Sequence, residues 1–154
     1  MTRIAIGADH GGYLLKVRID DYLRSNGYAV LDLGTHNQDP VDYPDFALAV
    51  GQTIIKGEAD LGILICGSGV GVTVVANKIP GIRAGMGHDS FSARQGREDD
   101  NTNVLCLGAR VVGVELALDL VRIWLNSSFS GAERHVRRLS KVDKIEREIS
   151  MSEQ

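Results

Sequence analysis

Five short aliphatic runs punctuate the chain: RIAIG (3–7), AVLDLG (29–34), LGILIC (61–66), IRAGMG (82–87) and NVLCLG (103–108). None alternates strictly between apolar and polar positions, which is the mark of strands buried on both faces. The stretches between them are long enough for one helix per crossover, and their apolar residues fall at helical spacing. Leu15, Ile19 and Leu23 share a face of the first such stretch, which SNG (25–27) closes with a glycine. Phe46, Val50 and Ile54 do the same in the second, started by Pro44 and stopped by Gly57. Leu116, Leu120, Ile123 and Trp124 form the stripe of the last helix before residue 127. The pattern predicts an α/β protein of three αβα layers, Rossmann-like, with a five-stranded parallel sheet in one domain spanning 1–154.

Beyond about residue 127 the character changes. The segment ERHVRRLSKVDKIEREIS (133–150) sets Val136, Leu139, Val142, Ile145 and Ile149 at helical spacing among many charges. A narrow apolar stripe following a complete sheet predicts a C-terminal helical arm, about 127–154, that packs on a partner subunit. The expected assembly is a homodimer, or a tetramer built from it.

Composition narrows the classes. With 44% apolar and 24% charged residues and a net charge of −3, no face carries the surplus of Lys and Arg that a nucleic-acid partner needs. No apolar run approaches the ~20 residues of a membrane span, and the first residues contain no signal-type apolar core, so a cytoplasmic location is expected. Cys66 and Cys106 each sit inside an apolar segment, which suits reduced thiols, and no Cys or His pair has metal-ligand spacing. Neither a metal nor a cofactor is expected.

In an open parallel sheet, ligands bind beyond the carboxyl ends of the strands. Those ends carry Asp9 and His10, Cys66 to Gly71 (CGSGVG), His88 and Asp89, and Arg110. The glycine run after the third strand is misplaced for a dinucleotide fingerprint, and lacks the lysine of a phosphate-binding loop. Val72 stands where a Cys-x5-Arg phosphatase needs arginine, and Cys66 where a phospho-receiver needs aspartate. What remains is a loop (Gly67, Ser68, Gly69, Val70, Gly71) whose backbone amides open a helix and form an anion nest, with a thiol beside it that this position favours as thiolate. A base next to an oxyanion site is equipment for removing a proton alpha to a carbonyl. Cys106 reads as core, and His36 as solvated.

The segments IAIGADHGGYLLK, DYPDFA, GILICGSGVGVTVVANKIPGIRA, NVLCLGARVVG and ERHVRRL together resemble the ribose/galactose isomerase family, in particular its type B ribose-5-phosphate isomerases. The resemblance runs along nearly the whole chain. It implies a metal-independent aldose-ketose isomerase acting on a phosphorylated sugar through a cis-enediolate, most simply ribose 5-phosphate and ribulose 5-phosphate. By resemblance Cys66 is the base that moves the proton between C1 and C2, and Ser68 with the loop amides holds the enediolate oxygen. Asp9 and His10 match the pair at the sugar and phosphate ends. Arg134 and Arg138 match the phosphate-binding arginines that flank His135, Arg110 matches another arginine near the site, and the family's pocket is completed across a dimer.

One departure bears on the substrate. Where many members have His-Asn, the histidine being credited with opening the furanose ring, this chain has Asp99 and Asp100. Either His88 supplies the missing imidazole, or the substrate is a tetrose 4-phosphate, whose esterified O4 cannot close a five-membered ring. A function of another class, a non-catalytic sugar-phosphate or nucleotide binding module, would need neither the thiol nor the hydroxyl.

Overall fold

The structure, a computed structural model, describes residues 1–152. Strands and helices alternate as β1 (Arg3–Ala8), α1 (Tyr13–Ser25), β2 (Ala29–Asp32), α2 (Tyr43–Ile55), β3 (Leu61–Cys66), α3 (Val70–Ala76), β4 (Ala84–Met86), α4 (Ser90–Asp100), β5 (Val104–Gly108) and α5 (Val114–Asn126), and α6 (Glu133–Ser152) follows. The five strands form one parallel sheet in the order β2-β1-β3-β5-β4. This is the three-layer αβα architecture that the alternating pattern predicts.

Successive strand residues point to opposite faces, so each strand feeds two cores. Ile4, Ile6, Ile63, Ile65, Leu105 and Leu107 pack beneath α1 and α5, with Leu15, Ile19, Leu23, Leu120 and Trp124 answering from the helices. Ala5, Leu64, Cys66, Val104 and Cys106 face α2 and α3, where Val50, Val72 and Ala76 cover them. Each wholly buried Ile or Leu contributes about 1.5–3 kcal/mol relative to an exposed one. Leu116 departs from the expected stripe. It is exposed, and Ala117 and Val121 take the buried positions of α5 instead.

Two strands are shorter than the apolar runs that contain them. In the 29–34 run, the Asp32 carboxylate accepts the Gly34 N–H at 3.0 Å and turns the chain out of regular strand geometry. In the 82–87 run, the Arg83 N–H is taken by Asn103 Oδ1 at 2.8 Å. The outward-facing N–H and C=O of Ala84 both pair with the Asn77 side-chain amide, at 2.8 and 2.9 Å. Side chains thus satisfy backbone groups of these two runs at the edges of the sheet.

Alongside the apolar core lies a part-buried ion pair. Lys16, 1% exposed, turns inward from α1, and its ammonium meets both Asp32 oxygens at 2.6 and 2.7 Å. Burial pushes the Asp32 carboxyl up, but the Lys16 ammonium and the Gly34 amide outweigh it, and the group lies below its ordinary 3.8. A carboxylate so shifted contributes stability above its unfolded pKa and loses it as pH falls through the folded one.

α6 is attached more loosely. Glu146 accepts the Gly81 N–H with both oxygens at 3.2 Å, while Val136, Val142, Ile145 and Ile149 stay about half exposed, between 47% and 58%. A groove of about 660 Å³ separates the helix from the β4 side of its own domain.

Replacing Lys16 by Met leaves Asp32 without its cation and should destabilise the protein by about 2–3 kcal/mol in urea unfolding at neutral pH. The difference from the parent should close as pH falls through the lowered Asp32 pKa. A difference that persists at acid pH would place its origin elsewhere.

Candidate active site

β1 and β3 are adjacent, but the crossover from β1 runs through α1 on one face and that from β3 through α3 on the other. The carboxyl ends of the two strands therefore splay and leave a crevice, the switch point of the sheet. A cavity of about 360 Å³ opens there, lined by Asp9, Tyr43, Cys66, Gly67, Ser68, Gly71, Arg110 and Val111. Five of the residues singled out from sequence for the glycine loop and its thiol, or for the neighbouring strand end, thus meet in one space, and Arg110 joins them.

Cys66 is the last residue of β3 and 4% exposed. The Gly69 N–H donates to its sulfur at 3.1 Å. Gly69 itself has φ +81°, a left-handed conformation that a side chain would strain, and with it the chain turns from the loop into α3. A Cβ there would also meet the Leu107 carbonyl carbon at 3.0 Å and the Gly108 nitrogen at 3.1 Å. Ser68 Oγ accepts the Val70 N–H at 3.1 Å, and Thr73 Oγ1 donates to the Gly69 carbonyl at 2.6 Å, bracing the loop from within α3.

The loop is also tied to the end of β5. The Ala109 N–H donates to the Cys66 carbonyl at 2.9 Å and the Arg110 N–H to the Gly67 carbonyl at 3.0 Å, which lays the Arg110 side chain over Gly67. Cys106 lies on the same face, two residues earlier along the ladder. Burial pushes its thiol up to about 12, so it stays protonated.

Asp9 is 9% exposed, and its carboxylate accepts the Gly12 N–H at 3.1 Å. His10 is exposed beside it. Its Nδ1 accepts the Val41 N–H at 3.1 Å, and because a backbone amide can only donate, the neutral ring carries its proton on Nε2. Tyr43 and Val111 were not singled out from sequence. Tyr43 begins α2, and its ring packs where a Gly71 side chain would stand, a contact that no local spacing announces.

The other residues singled out from sequence lie elsewhere. His88 is outside the cavity, and its Nε2 accepts the Gly108 N–H at 2.8 Å. Asp99 and Asp100 end α4, which runs back from the carboxyl edge of the sheet to its amino edge. Arg134 and Arg138 are exposed on α6, near that edge. His135 between them is buried, with Nε2 3.4 Å from Asp99 Oδ1 and Nδ1 2.6 Å from Ser130 Oγ. Ser130 Oγ also accepts the Ala132 N–H at 3.1 Å. Among the described residues no group of three or more His, Cys, Asp or Glu side chains is gathered as a metal ion would require.

The chain's resemblances agree with this geometry. Residues 4–142 match the family model described as Ribose/Galactose Isomerase. The ribose-5-phosphate isomerase B of Escherichia coli K12 is 44% identical over 146 residues, covering 95% of this chain and 97% of that protein. The D-erythrulose-4-phosphate isomerase of Pectobacterium atrosepticum is also 44% identical, over 149 residues, covering 94% and 93%. Among solved structures, the ribose-5-phosphate isomerase B of Clostridium thermocellum superposes with a TM-score of 0.94 at 50% identity, covering 96% of this chain and 99% of that one. With a cysteine and a glycine loop meeting at the switch point of the same sheet, the chain belongs to the ribose/galactose isomerase family.

Proposed function

We propose that the chain interconverts an aldose phosphate and its ketose, with Cys66 as the base. The observation that carries this reading is the Gly69 N–H on the Cys66 sulfur at the wall of the cavity. In the forward direction the thiolate removes the proton from C2 of the open-chain aldose, and the electron pair moves into the C1–C2 bond. The former carbonyl oxygen becomes the negative oxygen of an enediolate, which Ser68 and the loop amides hold. The thiol then returns the proton to C1, while a proton passes between the two oxygens, and the carbonyl re-forms at C2. No redox partner is consumed. Cys106 cannot share the role, being held protonated.

Arg110 reaches the cavity from the same chain, but Arg134 and Arg138 lie near the opposite edge of the sheet. The reading therefore places the phosphate between Arg110, His10 and the arginines of a second copy, whose α6 would bury its half-exposed apolar stripe against this subunit. Function as a homodimer with shared sites, in the cytoplasm, completes the proposal. No helix of the described residues is long and apolar enough to cross a membrane.

Ribose 5-phosphate is the substrate most consistent with the Escherichia coli and Clostridium thermocellum relatives. Opening its ring then falls to Asp99 of the second copy, which is backed by the buried His135: its carboxylate takes the anomeric hydroxyl proton as the C1–O4 bond breaks and gives it to O4. A second reading, a tetrose 4-phosphate, is favoured by the placement of His88. Its Nε2 already serves Gly108, so it does not stand free to replace an imidazole at position 99. The Pectobacterium relative carries an erythrulose phosphate name.

Cys66→Ala should lower turnover by at least about 10³-fold while substrate affinity holds, and Ser68→Ala by roughly 10²- to 10³-fold, as one oxyanion donor among several. Turnover unchanged in Cys66→Ala would leave the binding-module reading standing. Mixing Cys66→Ala chains with Arg138→Ala chains should restore up to about a quarter of the parental activity through mixed dimers holding one intact site. Strict additivity of the two inactive preparations would rule out shared sites. For the substrate, kcat/KM on ribose 5-phosphate and erythrulose 4-phosphate should be compared before and after Asp99→Asn. A loss confined to the pentose supports ring opening by Asp99, and equal losses defeat it.

A further inference from the structure

The last rung of the β4–β5 ladder is the Gly87 N–H bonded to the Cys106 carbonyl at 3.3 Å. One step further along β5, the buried Gly108 N–H has no strand beside it, because the chain has already turned toward α4, whose cap is Asp89. A buried amide without an acceptor costs roughly 1–3 kcal/mol. His88 Nε2 fills the place of the missing carbonyl at 2.8 Å. As an acceptor from a backbone amide, that nitrogen must be unprotonated, so the ring acts here as a neutral acceptor.

Gly108 is the seat of the catalytic loop. A Cβ on it would come within 2.5 Å of the Ser68 carbonyl carbon and oxygen, so the two backbones are in direct contact. Its carbonyl accepts the Val111 and Val112 amides at 2.9 and 3.1 Å, and the next two residues bind the carbonyls of Cys66 and Gly67. The peptide that His88 anchors also lies against Gly69, the residue whose N–H sits on the Cys66 sulfur.

We propose that His88 is a positioning residue: by accepting the Gly108 N–H it fixes the peptide against which Ser68 and Gly69 are seated, and so holds the Gly69 amide on the Cys66 sulfur. It touches neither substrate nor sulfur. This rests on the reading of Cys66 as the base only for its effect on turnover, since the amide-to-sulfur bond can be followed without substrate.

The test compares His88→Gln, whose side-chain oxygen reaches the place of Nε2, with His88→Leu, which keeps bulk but offers no acceptor, and His88→Asn, which is too short. Iodoacetamide labelling, read by mass spectrometry, follows Cys66 separately from the buried Cys106. At neutral pH the Cys66 labelling rate should fall by ~10-fold in His88→Leu and His88→Asn and return to within about 3-fold of the parent in His88→Gln. In the isomerase assay kcat should fall by ~10- to 100-fold in the first two with KM nearly constant, as expected of a displaced loop, and recover in the third. Parental labelling in His88→Leu, or in His88→Asn if the leucine variant does not fold, overturns the proposal. So does a glutamine variant as slow as asparagine. If Cys66→Ala proves active, the kinetic arm loses its meaning but the labelling arm still decides the proposal.

Discussion

The site depends on one contact between backbones. Gly69, whose amide meets the Cys66 sulfur, takes a left-handed turn, and that turn rests against the Leu107–Gly108 peptide at the end of the neighbouring strand. Neither glycine tolerates a side chain there, since one would drive the loop from its seat. The parallel pairing of β3 with β5, in which Cys66 stands opposite Gly108, sets the geometry of the thiol as directly as any residue in the loop does. A sheet register thus becomes a chemical parameter.

Much of this was legible in the sequence because it follows from periodicity. Runs buried on both faces imply a parallel sheet, and a parallel sheet puts its chemistry at the carboxyl ends of the strands, where Asp9, Cys66, Ser68 and Arg110 are found. Contacts between segments distant in the chain left no such trace. Tyr43 reaches the cavity because the start of α2 packs on Gly71, and Lys16 turns inward because Asp32 ends an adjacent strand. His88 shows the limit from the other side. Its place after the fourth strand marks it as a candidate for chemistry, but the ring is spent on an amide that the pattern of residues could not reveal.

The departure at Asp99 is also more than a substitution. In this fold the carboxylate stands 3.4 Å from a buried imidazole that is itself fixed by Ser130, so the residues around position 99 form a small network linking α4 to the first turn of α6. Arg134 and Arg138 flank that imidazole on the same helix. The acidic residue at the end of α4 thus helps fix the start of α6, the helix from which the arginines proposed to meet the phosphate extend.

The paired amide at Ala84 has a further consequence. An exposed border of a sheet invites another chain to dock its backbone there and propagate without end. Asn77 presents one donor and one acceptor to the outer side of Ala84, imitating a single residue of a neighbouring strand that cannot be continued. The layer is terminated by a counterfeit strand one residue long, and a helix-end asparagine guards this border against fibrous assembly.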